Sequence, residues 1–219
     1  MKVLYYSLLV VIIDQVTKLL VKGFKIPFLG IHHRGLKINS SITIWDEIIQ
    51  ITHVENYGLA FGIDFGREFK VILTIFTIIA ALLILYYLYV SRYKDFKIRL
   101  AIALIFGGAV GNIIDRTFYG VLYGYAPLFH GRVVDFIHID FFDYTLFGRT
   151  YQSLPVFNFA DVGVLAGILM LLYISFKSKL QETPAEQQET LQGVSEELIQ
   201  SDNDLKKELD NANNSQDHQ

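Results

Sequence analysis

A chain of 219 residues that is 52% hydrophobic and 14% aromatic is too apolar for an ordinary soluble domain and reads as a small integral membrane protein. The net charge of -3 says little as a whole, because the acidic excess lies beyond Gln181, and no basic field points to nucleic acid. Cysteine is absent, which excludes thiol nucleophiles, thiolate metal sites and disulfides together.

Four segments approach the ~20 residues that a bilayer core requires of a helix: Val3 to Val21, Phe69 to Val90, Leu100 to Phe118 and Phe159 to Phe176. The first is a retained anchor and not a signal peptide, since Asp14 and Lys18 interrupt it and no small-residue cleavage site follows. The second is the cleanest. The third is the weakest, because its apolar run meets Asn112, Asp115 and Arg116; it spans only if those groups face a protein interior or a cavity. An ionisable group in hydrocarbon costs at least ~2.5 kcal/mol, so Asp14, Asp115 and Asp161 at membrane depth, with Asp135 just outside, point to carboxylate chemistry at a membrane surface.

Arg92, Lys94, Lys97 and Arg99 lie between the second and third spans, and Lys177 and Lys179 follow the fourth. By the positive-inside rule both places are cytoplasmic, as are both termini. Two long connections, about residues 24–68 and 119–158, then face outward. The first contains DEIIQITHVENYGLAFGI, whose partial alternation and glycines predict a small sheet on the membrane surface. The second is rich in aromatic residues and is expected in the headgroup region as an interfacial loop or short helix. The expected organisation is a four-helix membrane domain over residues 1–179 and a disordered acidic cytoplasmic tail over 180–219, too polar to fold alone.

Four motifs carry candidate chemistry. In GNIIDR, Asn112, Asp115 and Arg116 can converge on one side of the third helix, either as a buried helix-to-helix ion pair or as part of a site. Gly107 and Gly111 of the same segment form a GxxxG step, which indicates packing. In FNFAD, Asn158 and Asp161 have the spacing of a capping box, and taken alone capping is the better reading. In RVVDFI, Asp135 sits among apolar residues, where a second carboxylate beside it would share a proton as an aspartic peptidase requires. NYGLAFG reads first as a tight turn with Gly58 or Gly62 at positive φ, and second as a strand edge whose backbone and Asn56 amide hold an extended peptide. The histidines form no credible metal set, His32 and His33 being adjacent and His138 with Asp140 having only strand spacing.

DQVTK in the first span, then NYGLAFG, GNIIDR, VVDFI and FNFAD, in that order over Met1 to Lys179, resemble the lipoprotein signal peptidases, or signal peptidase II. The resemblance implies a bacterial inner-membrane aspartic endopeptidase that cuts diacylglyceryl-modified prolipoproteins just before the lipidated cysteine. It implies a monomer working in membrane lipid without cofactor, metal or nucleic acid. Carried over by motif, the catalytic pair is Asp135 and Asp161. Asn56, Asn112, Arg116 and Asn158 line the substrate path, with Asp14, Lys18, Asp115 and Gly58 in supporting roles. The stretch TFYGVLYGYAPLFHG and the segment from Phe136 to Asn158 are longer than the compact family pattern. Two other classes are a small ion- or proton-coupled transporter, against which the absence of an internal repeat speaks, and a non-catalytic envelope scaffold, which would leave Asp135 and Asp161 without a use.

Overall fold

The computed structural model describes residues 2–46, 48–58, 66–140, 144–146, 149–151 and 154–181, with positions 195, 198, 200 and 201. The chain divides into two compact units, residues 1–172 and 173–219, and the first carries everything discussed below. The tail expected over 180–219 lies almost wholly outside the described residues, as do Gly62 and Asp143.

Helix α1 spans Leu4–Lys22 and turns the usual amphipathic logic inside out. Its buried positions are Ser7, Asp14, Lys18 and Val21, while Leu8, Leu9, Ile12, Ile13, Val16 and Leu20 are exposed. Those exposed aliphatics are what lipid would cover, and the polar stripe is what a neighbouring helix must satisfy. Gly23 ends the helix at φ 87, a conformation that favours glycine. A short hairpin follows, β1 (Phe24–Ile26) paired antiparallel with β2 (Ile31–His33).

Strands β3 (Ser41–Trp45) and β4 (Ile49–Asn56) come next, then α2 (Gly66–Val90), which carries the cleanest span of the sequence reading. Helix α3 (Phe96–Ile114) starts at Asp95, whose side chain accepts from the Lys97 amide at 2.7 Å. It continues through a π-helical turn over Asp115–Tyr119 into α4 (Gly120–Leu122). Residues 96–122 thus form the longest of four candidate spans, the others being 4–22, 70–93 and 159–179. The weak third segment is a span because its polar groups turn inward.

Beyond α4 come β5 (Val133–Ile139), the hairpin β6 (Tyr144–Leu146) and β7 (Arg149–Tyr151), and α5 (Phe159–Gln181). The main sheet has the order β3-β4-β5 and is antiparallel throughout. Here the structure adds to the sequence reading. The aromatic second connection is not only an interfacial loop: it supplies β5 to the sheet, because VVDFIHI is β-branched and buried on both sides over its first four residues. Strand β4 pairs with β3 over Ile49–Thr52 and with β5 at its Val54–Asn56 end, and the rest of the strand-edge motif, 59–62, lies outside the described residues.

Small residues set how closely the helices meet. A side chain at Gly107 would lie 2.7 Å from the Ser7 carbonyl of α1, and one at Gly111 would lie 2.6 Å from Asp14 Oδ2. Such contacts admit only glycine, which is the packing role read from GxxxG. Two apolar clusters result: Val3, Leu88, Ile102 and Ala103 far from the sheet, and Val21, Tyr119, Val134 and Phe136 beneath it.

Candidate active site

The polar stripe of α1 is satisfied by α3. Lys18 and Asp14, one turn apart, form an ion pair at 2.8 Å, and Lys18 makes a second at 2.8 Å with Asp115; all three side chains are wholly buried. The remaining ammonium contact is donated to Asn112 Oδ1 at 2.9 Å. Gln15 donates to Asp115 Oδ1 at 2.9 Å and accepts from the Tyr119 hydroxyl at 3.1 Å.

The carboxylates of this cluster reach further. Asp14 Oδ1 accepts the backbone N–H of Ala160 at 2.9 Å, and Asp115 Oδ2 accepts that of Val134 at 3.1 Å. Ala160 immediately precedes Asp161, and Val134 immediately precedes Asp135. Each cluster carboxylate therefore holds the peptide next to one aspartate of a second, separate pair.

That second pair is built by β5 and the start of α5. Asn158 and Asp161 form a reciprocal cap: the Asp161 amide donates to Asn158 Oδ1 at 3.0 Å, and the Asn158 amide donates to Asp161 Oδ2 at 3.1 Å. The capping reading of FNFAD is thus present, and it does not exhaust either residue. The Asn158 side-chain amide donates to Asp135 Oδ1 at 2.6 Å and to Asn112 Oδ1 at 3.2 Å, while Asn112 donates to Asp161 Oδ1 at 2.9 Å. Asn56 completes the ring with a bond to Asp135 Oδ2 at 3.1 Å. Its own Oδ1 accepts the Gly58 amide at 2.8 Å, in a turn where Gly58 has φ 79. Register brings this about, since Asn56 pairs with Val133 and Val54 with Asp135 across an irregularity in the β4–β5 ladder. On its other side β5 is pinned by Phe157, whose carbonyl accepts the amides of Phe136 and Ile137 at 3.0 and 2.7 Å.

Asp135 is buried at 4% exposure and Asp161 is half-buried. Among the described residues no cation lies within ion-pair distance of either. Arg116, half-buried beside them, acts on both through its charge, and its Nε has no hydrogen-bond partner among the described residues. Burial, followed by the charge of Asp161, pushes the Asp135 carboxyl up to about 7 against the amide bonds from Asn56 and Asn158. At neutral pH Asp135 is therefore divided between its protonated and ionised forms.

The family model described as signal peptidase II matches residues 6–177. The chain belongs to the signal peptidase II family. It is 34% identical over 183 residues to the lipoprotein signal peptidase of Pelodictyon phaeoclathratiforme, covering 83% of this chain and 95% of that one. It is 34% identical over 182 residues to the lipoprotein signal peptidase of Staphylococcus carnosus, covering 81% and 94%, and 32% identical to that of Amoebophilus asiaticus, covering 96% and 92%. Among solved structures it is similar to a bacterial membrane enzyme determined by the in meso method at 2.3 Å resolution, with a TM-score of 0.56, 29% identity and coverage of 84% and 92%. A second such structure, at 1.9 Å resolution, gives 0.55 and 30%. The transporter alternative draws no support from any of these.

As a signal peptidase II the chain carries two polar elements that its motifs did not announce. Gln15 was hidden beside Asp14, although a glutamine in a membrane span is itself a signal. Glu55 is held by Lys22 and by Arg132 Nη1, the latter at 2.8 Å, and Arg132 lies over the rings of Tyr57 and Tyr125 at 4.1 and 4.7 Å. Burial pushes the Glu55 carboxyl up, but the bonds and charges of Lys22 and Arg132 outweigh it and leave it below the usual range. Glu55 precedes Asn56, and Arg132 stands three residues before Asp135. This ion network therefore fixes the strands that deliver the Asn56–Asp135 contact.

Proposed function

We propose that this chain is a membrane aspartic endopeptidase that removes signal peptides from diacylglyceryl-modified prolipoproteins, with Asp135 and Asp161 as its catalytic residues. The observation that supports this most is the ring of Asn56, Asn112 and Asn158 amides that brings two carboxylates together with no cation between them. A structural ion pair needs a cation; a shared proton needs its absence. Asp135, the more buried, carries the proton, and Asp161 takes one from water. The water oxygen attacks the scissile carbonyl carbon while Asp135 protonates the carbonyl oxygen. The tetrahedral intermediate then collapses: Asp161 passes its proton to the nitrogen, Asp135 regains one from a hydroxyl of the intermediate, the C–N bond breaks, and the amine of the lipidated cysteine leaves. The new carboxylate stays on the signal peptide, and no acyl-enzyme forms.

Asn56 and Gly58 border the path of the extended substrate, and Arg116 offers its unpartnered Nε to a substrate carbonyl. Asp14, Lys18 and Asp115 hold the peptides that carry the pair. The enzyme works as a monomer in a bacterial cytoplasmic membrane, with both termini inside and the aspartates near the outer face, as the lysines and arginines beside the spans argue. The substrate's two acyl chains remain in the bilayer and set the depth of its scissile bond. The test is cleavage of one precursor with and without its diacylglyceryl group, in the same vesicles. The lipidated form is expected to be cut at least about a hundredfold faster, the scale set by misplaced reacting groups. Equal rates would contradict a lipoprotein-specific enzyme.

A further inference from the structure

At the sheet end of α1, away from the aspartates, a cavity of about 500 Å³ opens between α1, the β1–β2 hairpin and α4. Its polar lining is entirely cationic or basic: Lys22, Lys25, His32, His33 and Arg34. No acidic residue lines it. Lys22 is already committed to Glu55, and His33 Nε2 bonds the Leu20 carbonyl at 2.7 Å. Lys25 and Arg34 are exposed and have no hydrogen-bond or ion-pair partner among the described residues. Lys25 faces His32 across the hairpin, so Lys25, His32 and Arg34 lie at one mouth.

The rest of the lining is apolar or aromatic, from Leu19 and Phe24 on one side and Leu122 and Tyr123 on the other. Leu19 and Leu122 belong to the sheet ends of two candidate spans, so the cavity lies where headgroups begin. The hairpin carries Phe28 at its tip, 85% exposed, with Leu29 at 58% and Ile31 at 44%. Apolar side chains so exposed next to a span end belong in the interface, and they would seat the cavity at headgroup depth.

We propose that this cavity binds the phosphodiester headgroup of an anionic phospholipid in the leaflet on the sheet side, with Lys25 and Arg34 as its charged contacts. Basic pockets at span ends suit such headgroups, and the apolar walls receive the first methylenes of the acyl chains. The bound lipid fixes the hairpin against the membrane. Nothing in this depends on which aspartates do the chemistry.

The full-length protein in zwitterionic detergent is titrated with dioctanoyl phosphatidylglycerol, dioctanoyl phosphatidylcholine or inorganic phosphate, and binding is read by calorimetry. Phosphatidylglycerol is expected to bind at least about tenfold more tightly than phosphatidylcholine, with K25Q and R34Q each costing about fivefold and the double variant about twenty-five-fold. The wild-type affinity falls as salt rises. The double variant retains its cleavage rate in detergent free of anionic lipid, which reports that it is folded. Equal binding of the two lipids, a double variant that binds phosphatidylglycerol like the wild type, or a salt-independent wild-type affinity would each overturn the proposal. Inorganic phosphate displacing the lipid at comparable concentration would identify a free-anion pocket and reject the lipid as its occupant.

Discussion

Two carboxylate clusters share the sheet end of the helix bundle, and they differ in one component. Asp14 and Asp115 have Lys18 between them at 2.8 Å on each side; Asp135 and Asp161 are bonded by the amides of Asn56, Asn112 and Asn158, with Arg116 acting on them by charge from beyond ion-pair distance. Tied to Lys18, the carboxylates of Asp14 and Asp115 serve as rigid acceptors, here for the peptides of Ala160 and Val134. Without a cation at that distance, burial and the charge of Asp161 push the Asp135 carboxyl up to about 7, and a proton held there is what the proposed chemistry uses. Asn112 joins the two, accepting from Lys18 and donating to Asp161. On the function proposed, the cationic cluster positions and the amide-lined pair reacts.

The largest effects are expected at the proposed catalytic pair. Asp135→Asn and Asp161→Asn are each expected to lower cleavage of diacylglyceryl prolipoprotein by about a thousandfold, within the range that proton transfer supplies, while the protein still folds and inserts. A gel-shift assay checks the rate. The same Asp135→Asn sharpens the contrast through stability. Because the native carboxyl holds its proton up to about 7 and the unfolded one loses it near 3.8, wild-type stability falls as pH rises through that window. The variant should flatten that fall, as read by thermal melts across pH.

Removing the cation tests the other cluster. Lys18→Met leaves two buried carboxylates unpaired and should cost about 3–5 kcal/mol of stability, with insertion or folding lost before any kinetic effect can be read. Adding Asp115→Asn to Lys18→Met should restore part of the thermal midpoint. A single variant as stable as the wild type would mean that the cluster is not balanced by Lys18.

A milder perturbation is Asn56→Ala. Its amide favours the charged form of Asp135, so its loss raises that carboxyl further and should move the alkaline limb of kcat from about 7 to higher pH. The rate below the limb should fall about tenfold, the scale of a hydrogen bond to a charged group. The smallest effect is expected at Asp140, exposed at the end of β5 with its amide on the Ile48 carbonyl. Asp140→Asn should change turnover by about twofold or less, as exposed substitutions do.

Much of this was legible in the sequence because hydropathy and motif spacing are local. The four spans, the turn at Gly58 and the cap at Asn158 each depend on residues a few positions apart. What stayed hidden depends on long-range partners. Asp14 reads alone as a buried charge to be explained, and its bond to the Ala160 amide spans 146 positions. The strand character of VVDFIHI was masked because buried strands read as apolar runs, which aromatic interfacial loops also show. The Glu55–Arg132 pair depends on the β4–β5 register, which a ladder irregularity shifts.

The central claim, that the cation-free pair holds a proton at neutral pH, is most directly tested by infrared difference spectroscopy of the carboxyl stretch between pH 5 and pH 9, wild type against Asp135→Asn. A protonated carboxyl that titrates near 7 in the wild type and is missing from the variant is the expected result. A spectrum with every carboxylate of the pair ionised from pH 5 upward would contradict it.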